Sequence, residues 1–226
     1  MDGSEAVMKL IIQNGKGEKR ERKIAMVTKL FDNGKTEKRV YRFLSPADVK
    51  GTGVLAFDYE NKGDDMWIYL PALRKTRRIV TSERSKAFMG SEFSYADMNT
   101  PTLTDYTFRT LKEEAVDGVS CWLIEVKPKN EDVAEDEGYS KKKIWIAKEE
   151  YTIRKALYFD LEGELLKELK SKNIECLDEL KKRYRSKYME MTNKQNGRKS
   201  IFKIEKIENI PNTKDLYFTT EYLERP

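Results

Sequence analysis

The sequence predicts a mainly β fold, a curved antiparallel sheet with a few short helices, and three observations carry that prediction. Short alternating segments follow one another through tight turns, helical spacing is rare, and several segments are apolar on both faces. Of the 226 residues, 38% are hydrophobic and 37% charged; 12 Tyr, 9 Phe and 3 Trp give enough aromatic surface to fold despite the charge. All-β units commonly reach this length as one domain, burying roughly 70% of the surface of the unfolded chain. We therefore read residues 1–226 as a single domain, with 1–6 a disordered start.

Met8, Leu10 and Ile12 alternate before QNGKGEKR breaks the pattern, and Ile24, Met26, Thr28 and Leu30 alternate after it. Asn33-Gly34 follows in DNGK, and Asn-Gly is the strongest kind of short hairpin signal. The return strand sets Glu37, Arg39, Tyr41 and Phe43 on one face against Val40 and Leu44, and Ser45-Pro46 ends it. The next strand runs from Gly53 to Glu60 with Leu55, Phe57 and Tyr59 on one side. After NKGDD comes MWIYL, stopped by Pro71, which cannot donate to a ladder. Further strands are expected at 106–112, 119–127, 143–147, 152–159, 165–169 and 199–207. About ten strands in hairpin succession must curl or close, because a flat open sheet leaves its edges exposed.

Four segments read otherwise. Residues 85–89, capped by Ser82, suggest a short helix, and Ile174, Leu177, Leu180 and Tyr184 recur at helical steps across 174–188. DLYFTTEYLE suggests a closing helix, and the acidic NEDVAEDEG an exposed loop.

Some strands are apolar on both faces. Trp67 and Tyr69 lie opposite Met66, Ile68 and Leu70, while Trp122, Ile124 and Val126 lie opposite Cys121 and Leu123. A sheet wet on one face would alternate more cleanly. Such strands either bound a thick ordinary core or cover a core on one face and line a cavity on the other.

The chemistry of catalysis is thin. Histidine is absent, which removes the commonest general base and the commonest zinc ligand. The carboxylate pairs Asp64-Asp65, Glu113-Glu114 and Glu149-Glu150 sit among polar residues at turns and strand ends, where charge is usually solvated. GKG and GTG open no helix after a buried strand and are not phosphate loops. The expectation is no catalytic residue, no metal and no cofactor. The net charge of +5 is the near-cancellation of 44 basic and 39 acidic residues, so no nucleic acid is expected as a partner. Cys121 and Cys176 form no CxxC pair, and we expect no obligatory bridge between them. No apolar run reaches the roughly 18 residues of a membrane span. The opening MDGSEAVMKLII lacks the basic start, apolar stretch and cleavage site of a signal peptide, an appearance that a leader removed ahead of it would also leave.

Two neighbouring features remain. Arg74, Lys75, Arg77 and Arg78 crowd the segment LRKTRRI directly after an aromatic strand. They suit either a charged strand edge that resists aggregation or a site for lipid phosphates, an acidic partner or an anionic polymer such as RNA or polysaccharide. KAFMGSEFSYADM follows, with Phe88, Met89, Phe93, Tyr95 and Met98 around Gly90. So apolar a loop must cover something: either it plugs the core or it is a lid over a cavity.

Together these segments, WIYLPALRKTRRI and FMGSEFSYADM, resemble the signature of outer-membrane lipoprotein-sorting proteins, the LolA-like superfamily, and more narrowly its branch beside lipid-exporting permeases. RFLSPADVKGTGVL, DGVSCWLIEVKPK, YFDLEGELLKE and FTTEYLER extend the similarity over most of the chain; a leading helix and a leader are missing, and 174–188 departs from the expected strand. The resemblance implies a strongly curved, half-open β-barrel whose apolar hollow holds acyl chains under a loop acting as lid. It implies a periplasmic carrier or chaperone without catalysis, moving lipid or lipoprotein between membranes. The partners implied are an inner-membrane permease and an outer-membrane acceptor, and the state a monomer. On this reading Leu55, Phe57, Trp67, Tyr69, Trp122 and Ile124 line the cavity. Phe88, Met89, Phe93 and Tyr95 form the lid, and Arg74, Arg77 and Arg78 meet headgroups or a partner. The alternatives are an accessory interaction module of a permease and an anionic-polymer binder acting through Arg74–Arg78.

Overall fold

The computed structural model describes residues 3–179 and 182–225. Among the described residues thirteen strands form one antiparallel sheet. The first half of the chain supplies β1 (Gly3–Gln13), β2 (Lys19–Phe31), β3 (Thr36–Ser45), β4 (Gly53–Tyr59), β5 (Asp65–Leu70) and β6 (Lys75–Arg78). The second half supplies β7 (Tyr106–Val116), β8 (Val119–Pro128), β9 (Lys141–Ala147), β10 (Ile153–Phe159), β11 (Leu165–Asp178), β12 (Arg183–Asn193) and β13 (Lys199–Asn209). Each half is a meander, and the halves join where β1 pairs with β13. The edges of the sheet are therefore β6 and β7, strands adjacent in the chain and connected by residues 79–105. The sheet curls without closing into a half-open barrel.

Turn chemistry places most of these strands. Asn33 and Gly34 both take positive φ between β2 and β3, as do Asp117 and Gly118 between β7 and β8, the left-handed conformations that short hairpin loops demand. Pro71 opens the single turn after β5, and Arg74 takes φ 47° to reverse the chain into β6.

Four expectations need correction. Residues 3–6 are part of β1, and Ala6 is buried, because the strand is paired on both sides, by β2 and β13. The segment 174–188 is the tip of the β11–β12 hairpin rather than a helix; Leu180 lies outside the described residues. Its helical spacing loses to a ladder already running from Lys167↔Asn193, which each further residue extends with hydrogen bonds. The acidic loop is a helix, α1 (Glu131–Glu137): the Asn130 side chain accepts from the Val133 N–H, Glu131 and Asp132 face the positive end, and Gly138 ends it in the left-handed conformation. Residues 85–89 form no α-helix, only a single turn over Phe88–Gly90 preceded by a bridge between Ala87 and Ser94. The closing helix is present as a short turn, Asp215–Phe218, and α2 (Thr220–Leu223).

Both faces of the sheet are apolar, for different reasons. The concave face gathers Leu10, Ile24, Phe43, Val54, Met191 and Phe202 with residues of the 79–105 connection into the main core. Opposite, Val40 and Leu55 on the convex face pack with Phe218 and Leu223 from the C-terminal segment. Arg42 fastens that segment by donating to the carbonyls of Tyr222 (2.8 Å), Leu223 (3.0 Å) and Arg225 (2.8 Å). The fit is tight enough that a Cβ on Gly53 would stand 2.8 Å from Leu223 Cδ2. On the other half, Cys121, Leu123, Trp145 and Ala147 form a third cluster. Both cysteines are free thiols, Cys121 buried and Cys176 exposed.

Candidate ligand cavity

Residues 79–105 cross the open side of the half-barrel and dive into it. Phe88 is fully buried, with its ring 6.2 Å from Tyr41, 6.2 Å from Phe43, 5.5 Å from Tyr95 and 6.2 Å from Phe202, while Phe93 lies 4.8 Å from Phe202. Polar bonds hold the segment from both flanks. Arg22 donates to the Met89 carbonyl, Arg198 to the Gly90 carbonyl (3.2 Å) and, through Nε, to Glu92 (3.0 Å). Asn193 also donates to Glu92 (3.0 Å), and the Glu92 N–H donates to Ser200 Oγ (2.9 Å). On the far side Arg84 donates to the Asp64 carbonyl (2.6 Å), Asn99 to Asp64 Oδ2 (3.2 Å), and the Thr100 N–H to Asp58 (2.9 Å). In this conformation the segment fills much of the hollow facing β1–β5.

The other half stays open. A chamber of about 610 Å³ lies between residues 96–108 and the concave face of β8–β12, walled by Ile124, Val126, Ile144, Ile146, Leu169 and Met189. A second space of about 240 Å³, with Met8, Met26, Phe202 and Ile204 in its wall, adjoins it; the two share Asp97, Arg185, Ser186 and Met189. The chamber alone falls in the range of about 300–1,000 Å³ occupied by small-molecule sites. Its rim carries exposed apolar side chains, Leu103 at 66%, Phe108 at 50% and Tyr151 at 73% exposure. Large apolar groups clustered around an opening mark a surface that meets another apolar body.

Relatives put this architecture in context. A family model described as an uncharacterized protein matches residues 35–225. A domain from Vibrio parahaemolyticus assigned to outer membrane lipoprotein sorting is 30% identical, with a TM-score of 0.90, over 99% of this chain and 92% of its own length. The chain belongs to the same family as this lipoprotein-sorting domain. A DUF1329 family protein from Desulfovibrio piger is 28% identical, with a TM-score of 0.89, over 98% of this chain and 91% of that one. A LolA superfamily protein from Nitrosomonas europaea shares the fold at 19% identity and a TM-score of 0.69, over 98% and 91% of the two chains. No curated protein matches.

Within this LolA-like frame the site residues expected from sequence separate into groups. Ile124 lines the chamber, and Trp122 stands beyond it with its ring 6.0 Å from that of Tyr151 at the rim. Leu55, Phe57, Trp67 and Tyr69 are a correction: they share one face, as read, but it is the convex one, packed beneath the C-terminal segment. Phe88, Met89, Phe93 and Tyr95 lie together in the main core. Arg74 sits at the turn before the edge strand, Arg77 pairs with Glu83 (2.5 Å), and Arg78 pairs with Asp65. The wall residues of β9 and β11, Ile144, Ile146 and Leu169, were missed. Leu169 stands between Glu168 and Lys170, but Ile144 and Ile146 flank Trp145 in a strand apolar on both faces, where alternation does not say which face is the wall.

Asp64 corrects the reading of the carboxylate pairs as solvated. It is buried, accepting from the Tyr59 N–H (3.1 Å) and Asn99, and burial lifts its carboxyl above the ordinary range against the pull of those bonds and of Arg84. Its work is to clamp the 79–105 segment. Among the described residues no group of His, Cys, Asp and Glu is arranged to hold a metal ion, and no helix is long and apolar enough to cross a membrane.

Beneath the chamber a polar network runs through Asp97, Tyr139 and Lys167. Tyr139 is buried and donates to Asp97 Oδ2 (3.2 Å), while Lys167 Nζ donates to the Tyr139 oxygen (3.2 Å). Burial pushes the Lys167 ammonium below its ordinary value, with Asp97 and Glu92 opposing and Lys142 adding to the shift. The folded protein thus sheds this proton before the unfolded chain does. Between the lowered value and the ordinary 10.5 the unfolded chain holds more protons, so stability rises with pH in that window; below it the charged lysine is a constant cost. Lys167→Met is expected to unfold at higher urea concentration than the parent at neutral pH, with the advantage shrinking towards pH ~10. Urea titrations at several pH values check this; an advantage independent of pH would show that Lys167 does not carry the effect.

Proposed function

We propose that this chain is a non-catalytic carrier of acyl chains, taking up the hydrocarbon part of a lipid or lipoprotein in the chamber beside the 79–105 plug. The observation that supports it best is the chamber itself: about 610 Å³, apolar-walled, open on one side and rimmed by exposed Leu103, Phe108 and Tyr151. The Vibrio parahaemolyticus relative, assigned to outer membrane lipoprotein sorting, supports the same cargo class. The reading extends to transfer between membranes of the cell envelope, in the periplasm, as a monomer that meets an inner-membrane permease and an outer-membrane acceptor. Each buried methylene contributes roughly 0.8 kcal/mol, so a 16-carbon chain gains on the order of 10 kcal/mol before ordering costs. Burial in an open chamber lets such cargo leave again. The basic cluster lends little support to an anionic-polymer binder, since Arg77 and Arg78 are engaged by Glu83 and Asp65.

The test is direct. The purified chain should retain long-chain lipid in native mass spectrometry or bind an uncharged fluorescent acyl probe at about micromolar affinity or tighter. Repeated failure in both assays, with folded protein, would turn the reading towards an accessory module of a permease that carries nothing.

A further inference from the structure

We propose that the carried molecule is an acyl chain headed by an oxyanion, and that Arg185 receives the headgroup inside the hollow. The inference rests on the carrier reading and goes further by naming the charge of the cargo and its contact. Arg185 lies on β12 where the two spaces meet, in the wall of both. Its Nη1 is shut off from solvent and has no hydrogen-bond partner. Arg22, Arg84 and Arg198, which reach the hollow or its plug, are engaged by the Met89 carbonyl, the Asp64 carbonyl and Glu92. Arg39 is ion-paired with Asp58, although its Nε too is buried without a hydrogen-bond partner, whereas no carboxylate pairs with Arg185 among the described residues. Asp97, the carboxylate sharing the junction with Arg185, is already occupied through Oδ2 by the Ser94 N–H (2.8 Å) and the Tyr139 hydroxyl (3.2 Å).

A guanidinium cannot escape burial by giving up its proton, and a buried donor without an acceptor costs the fold its full desolvation penalty. A group kept at that cost, between two apolar walls, is poised for an acceptor that arrives with an apolar body attached. The planar fork fits the two oxygens of a carboxylate or phosphate. The acyl chain would then lie against Met189 and the apolar wall of the chamber, its head at the junction.

The experiment compares oleate, oleoyl lysophosphatidic acid and uncharged mono-oleoylglycerol, displacing an uncharged acyl probe from the parent chain, Arg185→Met, Arg185→Lys and the surface control Arg109→Gln. The two anionic ligands should bind the parent about tenfold to a hundredfold more tightly than the uncharged one. That preference should vanish in Arg185→Met with uncharged binding kept, survive in part in Arg185→Lys, and persist in Arg109→Gln. Preference for oleate alone assigns a carboxylate, and for the lysophospholipid alone a phosphate. Equal binding of charged and uncharged ligands to the parent, or a preference that outlives Arg185→Met, overturns the inference and leaves the carrier reading standing. Inorganic phosphate displacing the probe unaided also overturns it, since the site would then take the anion without its chain. Failure of every acyl ligand to bind defeats the carrier reading itself. Ligand-free Arg185→Met should melt no lower than the parent; a lower melting temperature would make the arginine a structural part and count against the proposal.

Discussion

Phe88→Ala is expected to lower the free energy of unfolding by about 3–5 kcal/mol, the range for removing a fully buried aromatic ring from a core that collapses only in part. No part of the Phe88 ring is exposed, and it touches side chains from β3, β13 and its own segment at once. Its loss should uncouple the 79–105 segment from both walls, so urea unfolding should show a lower midpoint, and amides of residues 86–98 should exchange faster than the sheet. The size of the effect discriminates between two kinds of segment. A loss below about 1 kcal/mol would mean that the ring spends much of its time outside the core, as in a lid that opens freely. A loss in the full range makes the segment a built-in plug, and places ligand entry at the rim of Leu103, Phe108 and Tyr151.

The second large effect is on binding. Ile124→Trp should weaken acyl-chain binding at least about tenfold while the melting temperature stays within a few degrees of the parent. Ile124 points into the chamber, so the larger ring enters empty space and escapes the usual cost of overpacking a filled core. Displacing only two methylenes of cargo would forfeit roughly 1.6 kcal/mol, already more than tenfold. Probe displacement on both proteins checks it, with Phe57→Ala as the companion, since Phe57 lies on the convex face. Unchanged affinity in Ile124→Trp would move the cargo out of the chamber, and a loss in Phe57→Ala alone would move it to the convex face.

The pairing of Leu55 with Trp67 and of Val54 with Ile68 shows how far periodicity reaches. Alternation correctly grouped Leu55, Phe57, Trp67 and Tyr69 on one face of the sheet. It could not say which face was concave. That is decided by residues far along the chain: Phe218 and Leu223 cover the aromatic face, while Phe88 and Phe93 cover the other. An aromatic row is as good a bed for a C-terminal segment as for a ligand, and only tertiary structure tells them apart. The helix expected at 174–188 failed for a related reason, since Ile174↔Ser186 and Cys176↔Tyr184 sit on a ladder that begins at Lys167↔Asn193. Arg185 was invisible for want of a neighbour in sequence: nothing around it in RYRSKY distinguishes it from a solvated cation, and its isolation exists only where two spaces meet. The strand and turn framework from Met8 to Leu70, by contrast, was set by local chemistry and read well.

The seam between β1 and β13 has a consequence for how the chain reaches this state. Every other pairing in the sheet joins strands consecutive in sequence, so each can zip from its own turn at little entropic expense. The seam, from Ser4↔Asn209 to Gln13↔Lys199, closes a loop of nearly the whole chain. Among the strand pairings, the long-range loop-closure entropy is thus concentrated in one ladder. The two meanders can assemble early and separately, but the hollow between them exists only once the ends of the chain have met.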